Sequence, residues 1–355
     1  MIYNFNAGPS VLPQSVLEEA SKAIINFNNS GLSILEIGHR APLFESVIEE
    51  ARSLMRELMN LDEQHEVLFL HGGATVQFMQ IPMNLLDAKE SVAIADTGVW
   101  STKAIKEAKY FGKVEVVCSS KDKNYNYIPK DFAVPHDAKY LHLTTNNTIY
   151  GTQWQQIPTI NIPLVADMSS DILSRKLDFN AFDLIYAGAQ KNMGAAGTNV
   201  VIVNKNLLGK IKRPIPPIMD YKLHIEAKSM LNTPPVFAIY VSMLTLRWLK
   251  NNGGVEAMEK LNTEKSNLLY NALDESKIFK GTVEKDSRSK MNVCFVANTP
   301  EVEKSFLDFA TKNNIYGIKG HRLSGGFRVS LYNALPLKSV KYFVEKMQEF
   351  ERGMK

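Results

Sequence analysis

Between residues 66 and 203, short apolar runs alternate with stretches of helical periodicity, and no other pattern in the sequence limits the possible folds as strongly. Each run is four or five residues long and is followed by small or polar residues, which is typical of a buried strand. Strands that alternate with helices predict an α/β fold with a mainly parallel, mixed sheet flanked by helices. The apolar runs cover residues 67–70, 92–95, 114–117, 140–143, 163–167, 184–187 and 199–203.

Helices are predicted on both sides of this alternating segment. Apolar residues at helical spacing begin after Pro13, and a second amphipathic helix covers 43–59. The proline-dense stretch 211–235 is predicted to be a long structured loop or a linker. A helix at 236–251 follows it and is expected to stop at the glycine pair 253–254.

The last hundred residues have a different rhythm, with fewer strands and longer helices. Helices are predicted at 255–275, at 301–313 and at the end of the chain, with strands at 291–296 and 327–331. A chain of 355 residues is long enough for two domains. We therefore predict a large α/β domain over residues 14–254 and a smaller α+β domain over 255–355, with the N-terminal segment 1–13 joining the smaller one.

The composition argues against several classes of protein. The net charge is +4, without a basic block, so nucleic acid is not an expected partner. No apolar run approaches the roughly 20 residues that cross a bilayer, and the N-terminus, MIYNFNAGPS, does not resemble a signal peptide. The only two cysteines, Cys118 and Cys294, lie in strand-like runs without metal-ligand spacing. These features predict buried thiols, no metal site, no membrane partner and a cytoplasmic location.

A single lysine follows the apolar run 184–187. In the sequence DLIYAGAQKNMGAAG (183–197), Lys191 stands among glycines and alanines that leave room for a planar ligand. Open α/β sheets bind ligands beyond the carboxyl ends of their strands. Lys191 is therefore a candidate for a Schiff base with a carbonyl cofactor, pyridoxal phosphate. The alternative is a solvated lysine on a surface turn.

An aspartate closes the preceding apolar run. Asp167 ends PLVAD (163–167), and a buried carboxylate is costly unless it has a cationic partner. A protonated pyridine nitrogen would be such a partner, and the carboxylate would keep it protonated so that the ring accepts electrons. The alternative is a hydrogen bond within the turn that follows. An aspartate after one strand and Lys191 after the next is the layout that pyridoxal phosphate requires.

Other candidate cofactor contacts also follow strands. Gly72, Gly73, Ala74 and Thr75 lie where a strand meets a helix, so free backbone N–H groups and the helix dipole could bind a phosphate there. The alternative is a tight turn in which Thr75 caps the helix. The stretch matches neither the dinucleotide fingerprint nor a Walker sequence. Two further residues also follow strands: Trp100, which could stack on a ring, and Thr148, which could bond a ring substituent.

Two clusters of basic residues suggest an anionic substrate. His321, Arg322 and Arg328 lie in the glycine-containing stretch GHRLSGGFRVS, and a second His-Arg pair, His39 and Arg40, lies near the N-terminus. Arginine forks bind carboxylates and phosphates through two contacts. Surface arginines paired with acidic side chains are the alternative.

Taken together, the motifs resemble those of the phosphoserine aminotransferase family, which consists of class V, fold-type-I pyridoxal-phosphate enzymes. The resemblance extends over nearly the whole chain and therefore implies the fold-type-I architecture. It rests on NFNAGP (4–9), HGGAT (71–75), DTGVWS (96–101), NNTIYGTQ (146–153), ADMSSD (166–171), YAGAQKN (186–192), NTPPVFAIY (232–240) and GHR…GGFRVSLYNA (320–334).

The resemblance implies a role for each cofactor-binding residue. Lys191 would form the Schiff base and later move the proton between the substrate Cα and the cofactor. Asp167 would pair with the pyridinium nitrogen, Trp100 would stack on the ring, and Thr148 would bond the ring hydroxyl. The cofactor phosphate would be held by Ala74, Thr75 and Gln190 and, from a neighbouring subunit, by Asn232 and Thr233, so a homodimer with shared active sites is implied.

The resemblance also implies the substrates. Arg328 would bind the α-carboxylate, and the distal phosphate or carboxylate would be received by His39, Arg40, His321 and Arg322. The implied reaction is a reversible ping-pong transfer of the amino group from L-glutamate to 3-phosphohydroxypyruvate, in serine biosynthesis. The four-carbon phosphohydroxythreonine of pyridoxine synthesis stays open as a second substrate, because residues 38–43 differ from the commoner family versions.

Four alternatives compete with this interpretation. A cysteine desulfurase needs a cysteine in a flexible loop, whereas both cysteines lie in strand-like runs. An alanine–glyoxylate aminotransferase would not need so many distal cations. A nicotinamide dehydrogenase lacks its glycine fingerprint here. A non-catalytic binding module would require the loss of Lys191 or Asp167, and both are present.

Overall fold

The structure is a computed structural model, and it describes residues 2–354. Over those residues the chain forms nine α-helices, numbered in chain order: α1 (Gln14–Ile25), α2 (Pro42–Met59), α3 (Gly73–Leu85), α4 (Val99–Ala108), α5 (Tyr221–Glu226), α6 (Val236–Asn251), α7 (Gly254–Glu275), α8 (Pro300–Lys312) and α9 (Leu337–Gly353). None of these helices is both long enough and apolar enough to cross a membrane.

The strands of the same residues group into one large sheet and three smaller ones. In chain order they are β1 (Tyr3–Asn4), β2 (His65–Leu70), β3 (Ser91–Asp96), β4 (Lys113–Ser119), β5 (Leu141–Thr144), β6 (Asn146–Asn147), β7 (Thr152–Gln153), β8 (Leu164–Asp167), β9 (Leu184–Gly188), β10 (Asn199–Asn204), β11 (Phe279–Gly281), β12 (Asn292–Ala297), β13 (Ile315–Tyr316) and β14 (Phe327–Ser330).

The large sheet has seven strands in the order β2-β10-β9-β8-β5-β3-β4. Only β10 runs antiparallel to its neighbours, so the sheet is mixed and mainly parallel. The predicted α/β fold class is confirmed. Helices α1, α2 and α6 pack on one face of the sheet, and α3, α4 and α5 pack on the other. Parallel strands that are covered on both faces consist of continuous apolar runs, and those runs located the strands in the sequence.

A second core lies around the antiparallel sheet β11-β12-β14. Helices α7, α8 and α9 pack against that sheet, and Phe5 of the N-terminal segment is buried in the same core. Strand β1 of the same N-terminal segment pairs in parallel with β13. The N-terminal segment therefore packs with the C-terminal third of the chain.

Several sequence-based boundaries need correction. The stretch 211–235, predicted to be a loop, contains the short helix α5, whose N-cap Asp220 accepts a hydrogen bond from the Lys222 backbone N–H. Gly254 begins α7 rather than only ending α6. Short strands such as β6, β7 and β11 were missed, because two or three residues show no detectable alternation.

Candidate active site

A cavity of about 390 Å³ lies beyond the carboxyl ends of β2, β3, β5, β8 and β9. This is where parallel α/β sheets place their ligands, since loops and helix N-termini converge at that edge. The cavity is walled on its other side by the N-terminal segment and by β14. The predicted site residues that line it are Ala74, Thr75, Trp100, Thr148, Asp167, Gln190, Lys191, His321 and Arg328.

Lys191 lies in the turn after β9 with its amine inside the cavity. Its Nζ donates to Thr148 Oγ1 at 2.8 Å and stands 5.9 Å from the centre of the Trp100 ring. The pKa of Lys191 is lowered to about 8, mainly by burial; the charge of Asp167 opposes this shift and the charge of Arg328 adds to it. The amine therefore becomes neutral and nucleophilic at a much lower pH than an exposed lysine does.

Asp167 is buried at the end of β8, on the strand next to the one that leads to Lys191. Its Oδ1 accepts a hydrogen bond from the Ser169 backbone N–H at 2.9 Å. Burial raises the pKa of Asp167, whereas the bonds from Ser169 and the charge of Lys191 oppose that rise. The turn hydrogen bond that the sequence offered as an alternative is thus present, and the carboxyl group lines the cavity as well.

Trp100 reaches the cavity from the first turn of α4. The start of that helix is fixed by Asp96 at the end of β3, whose carboxylate accepts hydrogen bonds from Ser101 Oγ at 3.1 Å and Thr102 Oγ1 at 3.0 Å. Gly98 precedes the helix because a Cβ there would stand 2.6 Å from Asn147 Oδ1. The hydroxyl bonds to Asp96 therefore hold the first turn of α4, which carries Trp100.

The N-terminus of α3 forms one end of the cavity. Gly72 is its N-cap, and Gly72 and Gly73 have φ of 85° and 60°, a region that favours glycine. The alternative in which Thr75 caps this helix is wrong, because Thr75 lies inside the first turn. The first backbone N–H groups of a helix lack intrahelical partners, so they can bind an anion. Thr75 is exposed, so this end of the cavity opens to solvent.

Arg328 and His321 form the wall opposite the sheet. Arg328 Nη1 donates weakly to the Thr148 carbonyl at 3.4 Å, and its buried Nε has no partner within residues 2–354. Burial lowers the pKa of His321, and the positive charges of Arg328, Arg322 and Lys103 lower it further. This wall is rich in positive charge with little internal neutralisation, which suits an anionic substrate.

Five predicted residues do not line the cavity: His39, Arg40, Asn232, Thr233 and Arg322. The side chains of Arg40, Thr233 and Arg322 are exposed. Thr233 nevertheless lies near the N-terminus of α3, where an anion could bind. Its carbonyl is 2.7 Å from Nε2 of His71, the residue before Gly72. The residues outside the cavity are those expected to contact the distal anion or a second subunit.

The residue-by-residue sequence argument missed the N-terminal wall of the site. Gly8 has φ of 135°, and a Cβ on it would stand 3.2 Å from Lys191 Cγ. Ser10 Oγ donates to the Lys191 carbonyl at 2.5 Å. No periodicity connects residues so far apart in the chain; the NFNAGP motif was the available signal. Thr144, Asn146, Ser169 and Ser170 also line the cavity and were not predicted as site residues.

The residues of the cavity fit pyridoxal phosphate. Trp100 Nε1 and Thr144 Oγ1 are buried and have no hydrogen-bond partner among residues 2–354, so polar atoms of the cavity wall are free to bind a ligand. A carboxyl, an amine and an indole ring face one another, and a helix N-terminus lies at the open end. These groups match a pyridinium nitrogen, a carbonyl, an aromatic ring and a phosphate, respectively.

Comparison with known proteins agrees with this geometry. Residues 2–343 match the family model of aminotransferase class V. A phosphoserine aminotransferase from Flavobacterium johnsoniae is 54% identical over 350 residues, which cover 98% of each chain. The chain therefore belongs to the class-V aminotransferases and, within that family, to the phosphoserine aminotransferases.

Solved structures give the same result in three dimensions. A structure described as showing radiation damage of the Schiff base in phosphoserine aminotransferase has a TM-score of 0.97 and 45% identity, with 99% of both chains covered. A phosphoserine aminotransferase from Trichomonas vaginalis, described as bound to PLP, has a TM-score of 0.93 and 35% identity and covers 98% of this chain and 100% of its own. The fold-type-I architecture implied by the sequence is confirmed.

Proposed function

We propose that this chain catalyses the reversible transfer of an amino group from L-glutamate to 3-phosphohydroxypyruvate, giving 2-oxoglutarate and O-phospho-L-serine. The observation that carries the proposal is the meeting of Lys191, Asp167 and Trp100 in one cavity beyond neighbouring strands. The high identity to phosphoserine aminotransferases supports the same reaction. The proposed role is a step of serine biosynthesis.

Pyridoxal phosphate would be held along the floor of the cavity. Asp167 would pair with the ring nitrogen, Trp100 would cover the ring face, and Thr148 would bond the ring hydroxyl. The phosphate would lie at the N-terminus of α3, near Ala74, Thr75 and Gln190. When bound, the cofactor supplies the carbonyl that accepts the amino group and a ring that withdraws electrons from the substrate Cα.

Lys191 would act as the base and acid of the reaction. Its Nζ has a pKa lowered to about 8 by burial, so it can accept a proton from the substrate Cα and return it within one turnover. Thr148 orients this amine through the 2.8 Å hydrogen bond to its Oγ1. The Ser10 bond to the Lys191 carbonyl fixes the backbone from which the amine projects.

Arg328 would bind the carboxylate that both substrates carry next to the reacting carbon. Its two-point guanidinium contact would orient that carbon toward Lys191. The distal phosphate or γ-carboxylate would contact His321, Arg322, His39 and Arg40. One site must accept a phosphate and a carboxylate in turn. Several cations at the entrance of the cavity, called the mouth, can bind both anions better than one fixed ion pair can.

We infer that two copies of the chain complete each site. Thr75 leaves the phosphate end open, and Asn232 and Thr233 lie beside that end without lining their own cavity. Large apolar side chains are also exposed in the region that precedes Arg40, and an interface would cover them: Leu17, Ile24, Ile25, Leu32 and Leu35. A homodimer would place Asn232 and Thr233 of one copy against the open end of the cavity in the other copy.

The division into domains is likewise a proposal. Separate buried clusters around the two main sheets support boundaries near residues 14–254 and 255–355. The packing of Phe5 into the second cluster supports assigning residues 1–13 to the smaller domain. Helix α7 joins the two, since Val255 and Met258 pack with the first cluster and Leu269 with the second. A cytoplasmic location is proposed as well, with free cysteines in its support.

The cysteine desulfurase alternative is not favoured by either thiol. Cys294 is buried in β12 and Cys118 is half-buried in β4, rather than in a flexible loop. Burial raises the pKa of both thiols to about 12, so neither is a thiolate near neutral pH. Phosphohydroxythreonine stays a prediction as a second substrate.

The proposal is tested by a substrate panel with the purified protein and added pyridoxal phosphate. Glutamate with 3-phosphohydroxypyruvate should give O-phosphoserine, detected by mass spectrometry, at a far higher rate than alanine with glyoxylate. Phosphohydroxythreonine and 2-oxoglutarate test the second substrate in the reverse direction. Equal or better turnover of alanine with glyoxylate would contradict the assigned reaction.

A further inference from the structure

Two buried asparagines join the large sheet to the antiparallel sheet beside the active site. Asn146, in β6 directly after β5, donates from Nδ2 to Asn292 Oδ1 of β12 at 2.8 Å. Asn146 is 2% exposed and Asn292 is fully buried. Asn146 also lines the cavity that holds Lys191. The pair therefore connects the cofactor side of the site to the sheet that carries Arg328.

Both amides have partners on their oxygen and their nitrogen. Asn146 Nδ2 also donates to Ser170 Oγ at 2.8 Å, and Asn146 Oδ1 accepts from Ser289 Oγ at 2.5 Å. Asn292 Nδ2 donates to Ser330 Oγ at 3.0 Å and to Tyr332 Oη at 3.2 Å. A buried network with all partners in place specifies one arrangement, because any shift leaves a polar atom unsatisfied in a dry environment.

The two branches of this network end at two walls of the cavity. Ser330 lies two residues after Arg328 on β14, and residues at that spacing share one face of a strand. Tyr332 Oη donates to the Ala7 carbonyl at 2.9 Å, next to Gly8, which packs against Lys191. The Asn292 side chain thus contacts the strand of Arg328 and, through Tyr332, the segment behind Lys191.

Arg328 is itself poorly fixed. Its contact with the Thr148 carbonyl is long, at 3.4 Å, and its Nε has no partner within residues 2–354. The position of its guanidinium therefore depends on where β14 is held. The hydrogen bonds from Asn292 to Ser330 and from Asn146 to Asn292 form a side-chain link between β14 and the cofactor side, in addition to the backbone pairing of β14 with β12.

We propose that Asn292 is a positioning residue that sets the distance between Arg328 and Lys191, and thereby the affinity for the α-carboxylate of both substrates. This inference rests on the proposed role of Arg328 as the carboxylate-binding residue. Asn292 contacts neither substrate nor cofactor in this account. Its effect would pass through β14 and would be equal for glutamate and 3-phosphohydroxypyruvate, since both carry the same carboxylate.

The test compares Asn292→Leu with Val293→Ala. Leucine has a similar size but cannot bond Asn146, Ser330 or Tyr332. Val293 is the neighbour on the opposite face of β12, fully buried in the second core, so its truncation destabilises the same strand without touching the network. Thermal unfolding midpoints measure the stability that each variant loses.

We expect Asn292→Leu to raise KM for both substrates about tenfold or more, with a smaller change in kcat and with normal absorbance of the bound cofactor. Val293→Ala should leave both KM values near the wild-type values. If Asn292→Leu does not fold, Ser330→Ala removes a single bond of the network and should raise both KM values by a smaller factor.

An Arg328→Ala variant in the same series separates the two proposals. If Arg328→Ala raises both KM values while the Asn292 and Ser330 variants behave like Val293→Ala, the positioning role of Asn292 is wrong and the role of Arg328 stands. If Arg328→Ala leaves both KM values unchanged, the carboxylate assignment is wrong and the inference about Asn292 is overturned with it.

Discussion

The floor and the mouth of the active site are built differently. Asp167, Thr148 and Lys191 on the floor are held by strand ends and by short hydrogen bonds within one chain. Arg40 and Arg322, which are predicted to bind the distal anion at the mouth, are exposed and do not line the cavity. The floor residues are therefore fixed by contacts within one chain, whereas the residues predicted for the mouth are not.

This difference follows from what each region has to do. In the proposed function the floor would hold one cofactor throughout the cycle, and a preorganised set of groups would then give the greatest stabilisation of the reacting atoms. The mouth accepts two substrates in turn, so its cations must adapt to a carboxylate and a phosphate. We therefore expect substitutions on the floor to reduce kcat by large factors and substitutions at the mouth to change KM by smaller ones.

The largest effect is expected from Lys191→Ala. Without an amine at this position, no group on the floor moves the Cα proton, and kcat should fall by about 10³-fold or more. The variant should retain pyridoxal phosphate only non-covalently, which dialysis and absorbance would show. Normal turnover in this variant would remove Lys191 from the mechanism.

Asp167→Asn should follow in size. The amide keeps the shape and can still accept from the Ser169 N–H, but it cannot keep a ring nitrogen protonated, so kcat should fall about 10²- to 10³-fold. Steady-state kinetics and thermal unfolding are measured together. If the variant is less stable but its kcat per folded molecule is unchanged, Asp167 only stabilises the turn that follows β8.

Arg328→Ala should weaken both substrates. Losing a charge-assisted two-point contact should raise KM for glutamate and for 3-phosphohydroxypyruvate by about 10- to 100-fold. Arg352→Ala, which removes an exposed arginine from α9, is the control and should change neither value. An effect on the phosphorylated substrate alone would place Arg328 at the distal anion instead.

Arg40→Ala should have a smaller and selective effect. A phosphate carries more charge than a carboxylate, so KM for 3-phosphohydroxypyruvate should rise by about tenfold and KM for glutamate by less. If site residues come from two copies, mixing Arg40→Ala subunits with Lys191→Ala subunits should regenerate some intact sites. Failure of every mixture to exceed the activity of the separate variants would argue that each site is built from one chain.

The smallest effect is a shift in pH dependence. Burial lowers the pKa of Lys191 to about 8, so capture of pyridoxal phosphate by cofactor-free protein should speed up as pH rises through that value. Arg328→Ala should move the midpoint up, because Arg328 lowers this pKa, and Asp167→Asn should move it down, because Asp167 raises it. A midpoint near 10.5, the ordinary value for lysine, would contradict the buried environment.

The sequence predicted the floor well because its residues follow buried strands. Apolar runs end at Asp167 and before Lys191, and the carboxyl ends of parallel strands meet at one edge, so local pattern and topology together placed both side chains. The resemblance to a known family extended this to residues that periodicity cannot connect. Those assignments stay predictions until the variants are measured.

The remaining features depend on contacts between distant parts of the chain. Gly8 packs against Lys191, and Asn146 bonds Asn292, but neither position is marked by a local pattern. Helix α5 was missed because prolines dominate its surroundings while its capping residue, Asp220, is a single polar position. Strands of two or three residues, such as β6 and β11, depend on pairing partners rather than on their own periodicity.

The central claim is that the protein carries an amino group on pyridoxal phosphate held by Lys191, and an absorbance titration tests it most directly. The wild-type protein with bound cofactor should show a band at about 410–430 nm that falls on addition of glutamate as a band at about 330 nm rises. Addition of 3-phosphohydroxypyruvate should reverse the change, and Lys191→Ala should show neither response. A protein that stays colourless with added pyridoxal phosphate, or whose bound cofactor ignores glutamate, would contradict the account.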